Sequence, residues 1–155
     1  MELCKQSLKQ YVQTEQLLND GLSEAKVKKI MRDVILGLQE LHSKKIVHLD
    51  IKPDNILQSQ SGNFKLGDLG LARLENKIIK EKNIPEGDCR YIAMELFNED
   101  PNQEVPDLKK SDIFSLGMTI FEIIEQREID KQSDEWGLIR QGLITFSPRT
   151  HQKYS

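Results

Sequence analysis

The 155-residue chain carries 25 acidic and 22 basic residues, a net charge of −3, which gives no reason to expect nucleic acid or an anionic membrane surface as partner. Its 37% hydrophobic and 30% charged residues exclude a disordered chain, and the length fits one domain with a real core. The longest apolar block, IFSLGMTIFEII from Ile113 to Ile124, is about half of what a membrane span needs and reads as a buried helix. The opening MELCKQSLKQ has charges where a signal peptide would be apolar. Cys4 and Cys89 make no disulfide framework, so a reducing, intracellular setting is expected for two free thiols.

The clearest predicted helix runs from Ser23, its N-cap, to Ser43. Val27, Ile30, Met31, Val34, Leu38 and Leu41 recur at helical spacing and form one buried face. Lys26, Lys28, Lys29 and Arg32 fall mostly on the other side, read as a solvated face rather than a docking patch. After Ser43 the period changes to short strand-like runs, KIVH, NILQ and NFKLGD, and the turn SQSGN makes Ile56 to Leu66 a hairpin. Asn98 to Asp107, NEDPNQEVPD, is a surface loop by composition. A second helix is predicted from about Ser111-Asp112, apolar on nearly every face and therefore central to the domain. The fold class expected is α+β, mainly α-helical, with a small β-hairpin.

Between the first helix and the hairpin stands HLDIKPDN, His48 to Asn55, and thirteen residues after Asn55 comes DLG, Asp68 to Gly70. Asn55 and Asp68 could hold a hard divalent cation through oxygen, leaving room for phosphates and water. Asp50 could orient a hydroxyl and accept its proton. Lys52 could set a positive charge beside a transferring phosphoryl group, since that chemistry is mostly positioning and charge stabilisation.

These two motifs resemble the catalytic loop and metal-binding motif of eukaryotic protein kinases. Four fixed residues at this spacing would arise by chance in such a chain about once in a thousand times. The resemblance implies ATP and Mg²⁺ as cofactors, Asp50 as catalytic base, Lys52 as a phosphate contact, and Asn55 and Asp68 as metal ligands. It makes His48 a structural histidine packed beneath the DLG motif. His42 is likewise structural. Asp68, Leu69 and Gly70 would open an activation segment that passes Asp88 and Tyr91 and ends at Glu95, in AME where the family has A-P-E. Asp112 matches the aspartate that caps the central helix and hydrogen-bonds the catalytic loop. MELC followed by SLKQYV resembles the end of the interlobe hinge and its following helix, with Glu2 and Cys4 beside the adenine.

Leu49 stands where an arginine usually precedes the catalytic aspartate, and between Asp68 and Glu95 there is no serine or threonine. The usual receiver of an activating phosphate and its usual acceptors are missing together. A kinase not switched on by activation-segment phosphorylation is expected. EGDCRYIAMEL (Glu86 to Leu96), LKKSDIFSLGMTIFEI and DEWGLIRQG (Asp134 to Gly142) complete a resemblance to the Wee family. Trp136 in the last of these reads as either a binding hot spot or a helix-packing residue. The likeness implies a protein substrate, a cyclin-dependent kinase, in nucleus or cytoplasm. The likeness implies a tyrosine acceptor, whereas Lys52 is the serine/threonine mark; the family shows the same mixture, so the acceptor stays open.

Residues 1–142 would form a partial kinase domain and 143–155 an unassigned tail. No G-x-G-x-x-G and no V-A-I-K-like segment occurs in the 155 residues, so a large C-terminal lobe with the N-lobe absent is expected, with negligible activity by itself. The arginine partner of Glu95 is expected beyond these residues, because Arg149 lacks its context. Two readings follow: the catalytic half of a Wee-like kinase, or a non-catalytic lobe that binds partners as a scaffold.

Overall fold

The computed structural model of the chain describes residues 3–81, 87–97 and 106–154. Among them the fold is mixed and mostly helical. Strand β1 (Cys4–Ser7) leads into α1 (Leu8–Asn19), followed by α2 (Glu24–Ser43), β2 (Ile46–Val47), β3 (Ile56–Ser59), β4 (Phe64–Leu66) and β5 (Arg73–Leu74). Then come α3 (Glu75–Glu81), α4 (Leu108–Glu125), α5 (Asp134–Arg140) and α6 (Pro148–Lys153). Single 3₁₀ turns occupy Pro53–Asn55 and Met94–Phe97.

The predicted first helix is α2, and its start follows local chemistry. The Ser23 hydroxyl accepts from the Lys26 amide, satisfying one of the amides a helix start leaves unpaired. Val27, Ile30, Val34 and Leu38 form its buried stripe. Lys28, Lys29 and Arg32 are exposed, as a solvated face requires, and surface ion pairs join Lys26 to Glu15 at 2.6 Å and Lys29 to Asp33 at 2.6 Å. On α1, Ser7 and Gln10 form a reciprocal capping box.

The predicted hairpin is β3 and β4, antiparallel, with Ile56 opposite Leu66 and Gln58 opposite Phe64. Strand β1 adds to its other edge, Cys4 opposite Ser59, to make a three-stranded sheet in the order β1-β3-β4. Strand β2, predicted from KIVH, pairs with β5 in a separate two-stranded ribbon rather than with the hairpin. That ribbon ties the segment after Asp68 to the segment before His48.

The core joins α1, α2, the loop and the central helix through Leu8, Leu22, Ile30, Leu38, Ile51, Ile56 and Ile123. Each such side chain is worth about 1.5–3 kcal/mol relative to exposure. Tyr11 and Phe64 meet edge to face at 5.3 Å and hold α1 on the hairpin. A second cluster gathers Tyr91, Met118, Phe121, Ile129 and Ile139. Trp136 packs beside it, with the Arg140 guanidinium 4.1 Å from its ring. Its reading as a packing residue fits this placement.

The central helix departs from expectation in two respects. It begins at Leu108, and its N-cap is Asp107, whose carboxylate accepts from Lys109 N–H. Asp112 is therefore an interior residue of the helix and not its cap. The helix also keeps an exposed stripe at Lys110, Ile113 and Gly117, with Ile113 48% exposed, so it is not buried on every face. Most of the Asn98–Asp107 loop lies outside the described residues. The unassigned tail contains α6, capped by Ser147 and held by a hydrogen bond from the Tyr154 hydroxyl to the Leu22 carbonyl at 2.7 Å. Arg149 reaches Asp20 there, at the end of α1.

Candidate active site

The loop from His48 to Asn55 rests on Asp112, which is fully buried in α4. Its carboxylate accepts the backbone N–H of His48 at 2.9 Å, that of Leu49 at 2.9 Å, and the His42 ring Nε2 at 2.7 Å. Buried carboxylates need such partners. Here the partners are the start of the loop, so burying Asp112 fixes the loop's shape. Leu49 is held at φ 64°, a left-handed conformation rare for leucine, which persists because the surroundings over-determine it.

His48 is buried and bridges two loops. Its Nδ1 accepts from Asp50 N–H at 3.3 Å, which puts the ring proton on Nε2, where it donates to the Gly67 carbonyl at 3.0 Å. The Asn55 carbonyl in turn accepts from Gly67 N–H at 2.8 Å. The residue before Asp68 is thus bonded to both His48 and Asn55, and the two polar motifs become neighbours. Asp68 itself is exposed, at φ 51°, with its Oδ1 accepting from Gly70 N–H at 3.2 Å. Aspartate tolerates this conformation better than most residues. Leu69 and Gly70 are exposed beside it.

Three groups of the loop converge. Lys52 Nζ donates to Asp50 Oδ1 at 3.0 Å, and Asn55 Nδ2 donates to Asp50 Oδ2 at 2.6 Å and to the Asp50 carbonyl at 2.8 Å. Pro53 starts the turn that brings Asn55 back under Asp50. With its amide nitrogen taken up by Asp50, the amide oxygen is the atom Asn55 has left to offer a ligand. Asn55 and Asp68 therefore supply hard oxygen donors on adjoining loops, which fits Mg²⁺. Among the described residues no group of three or more His, Cys, Asp or Glu gathers as a protein-only metal cage.

Cys4 lies at the far end of β1, opposite Ser59 on the strand that leaves Asn55. Glu2 lies outside the described residues. Asp88 sits over the loop in a salt bridge with Arg90 at 2.7 Å, and Lys52 also acts on its charge. The Arg90 guanidinium holds the Asp88 carboxyl below the usual carboxylate range. Its contribution to stability is therefore present above the ordinary aspartate pKa and lost as pH falls through the lowered one. In urea titrations, wild type is expected to exceed Asp88→Asn by about 1 kcal/mol at neutral pH, the two converging in acid. A gap that persists into acid would contradict the pairing.

Tyr91 is buried and donates its hydroxyl to Glu122 at 2.5 Å. Burial first, then this partner, pushes the Tyr91 pKa up, while burial raises that of Glu122. Glu95 is exposed on the turn Met94–Phe97. Arg140, which sequence reasoning passed over, donates to the Cys89 carbonyl at 3.1 Å and to the Ile92 carbonyl, and lies within electrostatic reach of Glu95. Gly87 was also missed. A Cβ there would stand 2.7 Å from the Leu49 carbonyl and 3.6 Å from Asp50 Oδ1, so only glycine fits against the loop.

The family model described as Protein kinase domain matches residues 1–153. The chain is 39% identical over 143 residues to the membrane-associated tyrosine- and threonine-specific cdc2-inhibitory kinase wee-1.3 of Caenorhabditis elegans, covering 92% of this chain and 20% of that protein. It is 37% identical over 150 residues to the mitosis inhibitor protein kinase wee1 of Schizosaccharomyces pombe, covering 96% and 16%. It is 36% identical over 148 residues to a Wee1-like protein kinase of Arabidopsis thaliana, covering 96% and 27%. The chain thus spans between 16% and 27% of the length of these relatives. Among the described residues no helix is long and apolar enough to cross a membrane.

Proposed function

The chain belongs to the protein kinase domain family, and from that premise we propose that it forms the catalytic half of a Wee-like kinase that moves the γ-phosphoryl group of ATP to a protein hydroxyl. The observation that carries the reading is the convergence of Lys52 and Asn55 on the Asp50 carboxylate, at 3.0 and 2.6 Å, with the exposed Asp68 following Gly67, whose backbone is bonded to His48 and Asn55. Asp50 orients the acceptor hydroxyl and takes its proton. Lys52 lends positive charge to the group in transit. Asn55 and Asp68 would hold Mg²⁺, which would supply positive charge against the nucleotide's phosphates. His48 and Asp112 keep the loop in that shape. Asp88, Tyr91 and Glu95 belong to the activation segment, and Cys4 with Glu2 to the adenine edge.

The substrate we infer is a cyclin-dependent kinase, because the named relatives are cdc2-inhibitory and mitosis-inhibiting kinases; nucleus or cytoplasm is the compartment we propose from the family resemblance. The 155 residues contain no glycine-rich phosphate loop and no V-A-I-K-like lysine segment. Removing even one preorganised charge donor from such a site costs about 10²–10³ in rate. Residues 1–155 alone are therefore expected to turn over at least that much more slowly than an ordinary kinase, and ordinary turnover would refute this.

The test uses the whole protein that contains these residues. Incubated with Mg·ATP and a cyclin-dependent kinase, it is expected to place phosphate on a hydroxyl of that substrate, with the acceptor read by mass spectrometry. No transfer by a folded, nucleotide-bound protein to this or any other protein substrate would sink the reading.

A further inference from the structure

Leu49 is the residue at which the chain departs from the charge pairing expected of a phosphate-switched kinase, and the structure gives it a different set of contacts. Its side chain shares a buried apolar cluster with Val47, Ile78 of α3 and Leu108 of α4, with Leu96 packed at the edge. Leu49 is 6% exposed and Ile78 2%. The left-handed backbone at φ 64° and the hydrogen bond from its N–H to Asp112 fix the direction in which the side chain leaves the loop.

Two further links converge on the same stretch. The ribbon pairs Val47 with Arg73 and Ile46 with Leu74, and Glu75 N–H donates to the Lys45 carbonyl at 2.9 Å while its carboxylate meets Lys109 at 3.3 Å. On the other side, the Leu49 carbonyl is the atom against which Gly87 closes. Among the described residues, Leu49 therefore faces the segment from Asp68 to Glu95 on two sides: its side chain packs with Ile78, and its carbonyl lies so near Gly87 that no Cβ fits between them.

We propose that Leu49 is a positioning residue that keeps the activation segment docked on the catalytic loop at all times, through apolar burial with Ile78 and Leu108 in place of a phosphate paired with an arginine. The proposal rests on reading residues 68–95 as the activation segment. Burial of apolar surface needs no covalent switch and responds little to salt. An arginine at position 49 would be driven into this apolar cluster without a partner anion, at a desolvation cost.

The test is amide hydrogen exchange on the full chain, followed residue by residue. Leu49→Ala is expected to speed exchange across β5 and α3 by about tenfold or more, with α2 unchanged. Leu49→Met, which restores volume, is expected to stay within about threefold of wild type. Ile78→Ala should reproduce the Leu49→Ala pattern, and the double variant should be little worse than either single one, because both delete the same contact. Unchanged exchange in β5 and α3 would overturn the proposal. So would equal acceleration of α2 and α4, which would mark Leu49 as ordinary core, or multiplicative effects in the double variant. Exchange requires no phosphoryl transfer. Failure here leaves the kinase reading standing, and failure of transfer with this exchange pattern intact leaves the anchor standing.

Discussion

Replacing Asp50 by asparagine in the whole protein is expected to lower the rate of phosphoryl transfer about 10²–10⁴-fold, with the KM for ATP nearly unchanged. The carboxamide has the size of the carboxylate, so the loop keeps its shape. One side-chain oxygen remains where Lys52 and Asn55 now use two, at 3.0 and 2.6 Å; Lys52 can take it, and Asn55 keeps the Asp50 carbonyl at 2.8 Å. What disappears is the ability to accept a proton from the acceptor hydroxyl. On the proposed reading, nucleotide affinity rests on other groups, Asn55 and Asp68 through the metal and the adenine edge at Cys4, which the substitution leaves in place. A kcat within about threefold of wild type would remove Asp50 from the proton-accepting role.

The second large effect concerns stability. Asp112→Ala leaves three donors, His48 N–H, Leu49 N–H and the His42 ring, facing a cavity where a buried carboxylate stood. Unsatisfied buried donors cost about 1–3 kcal/mol each, though not additively. A loss of about 3–5 kcal/mol is expected, a large share of the 5–15 kcal/mol typical of one domain. Asp112→Asn retains one acceptor oxygen and should fall between. Urea unfolding followed by circular dichroism measures both. A loss under about 1 kcal/mol for the alanine variant would mean that the loop does not depend on Asp112.

Helix α2 and the hairpin were legible in the sequence because each is decided locally. In α2 a serine cap precedes apolar residues at helical spacing, and in the hairpin a polar turn separates two short strand-like runs. The candidate site was legible for a different reason. Its chemistry is concentrated on two loops whose spacing survives in the linear order.

What was not legible depends on contacts between distant residues. Strand β1 reads CKQS, without the alternation of a strand, and exists because β3 offers it an edge some fifty residues away, as in the Gln6–Gln58 side-chain bond at 2.9 Å. The start of α4 was misplaced because DLKKSD contains two aspartates able to cap a helix. Only the position of the catalytic loop selects Asp107 for the cap and sends Asp112 inward. Arg140 looks like any basic residue in a last helical turn, until the fold brings the Cys89 and Ile92 carbonyls to it. For α6 a signal was available: Ser147 followed by Pro148 is a standard helix start, and the serine does accept from Thr150 N–H.

The central claim is that Asn55 and Asp68, on two loops joined through Gly67, act as one oxygen-donor site beside Asp50. The most direct measurement is paramagnetic broadening of amide signals as Mn·ATP is added to the ¹⁵N-labelled chain. Selective broadening around Asn55 and Asp68, lost in a folded Asp68→Asn variant, is the predicted result. Broadening centred elsewhere, or unchanged by that substitution, would contradict the account.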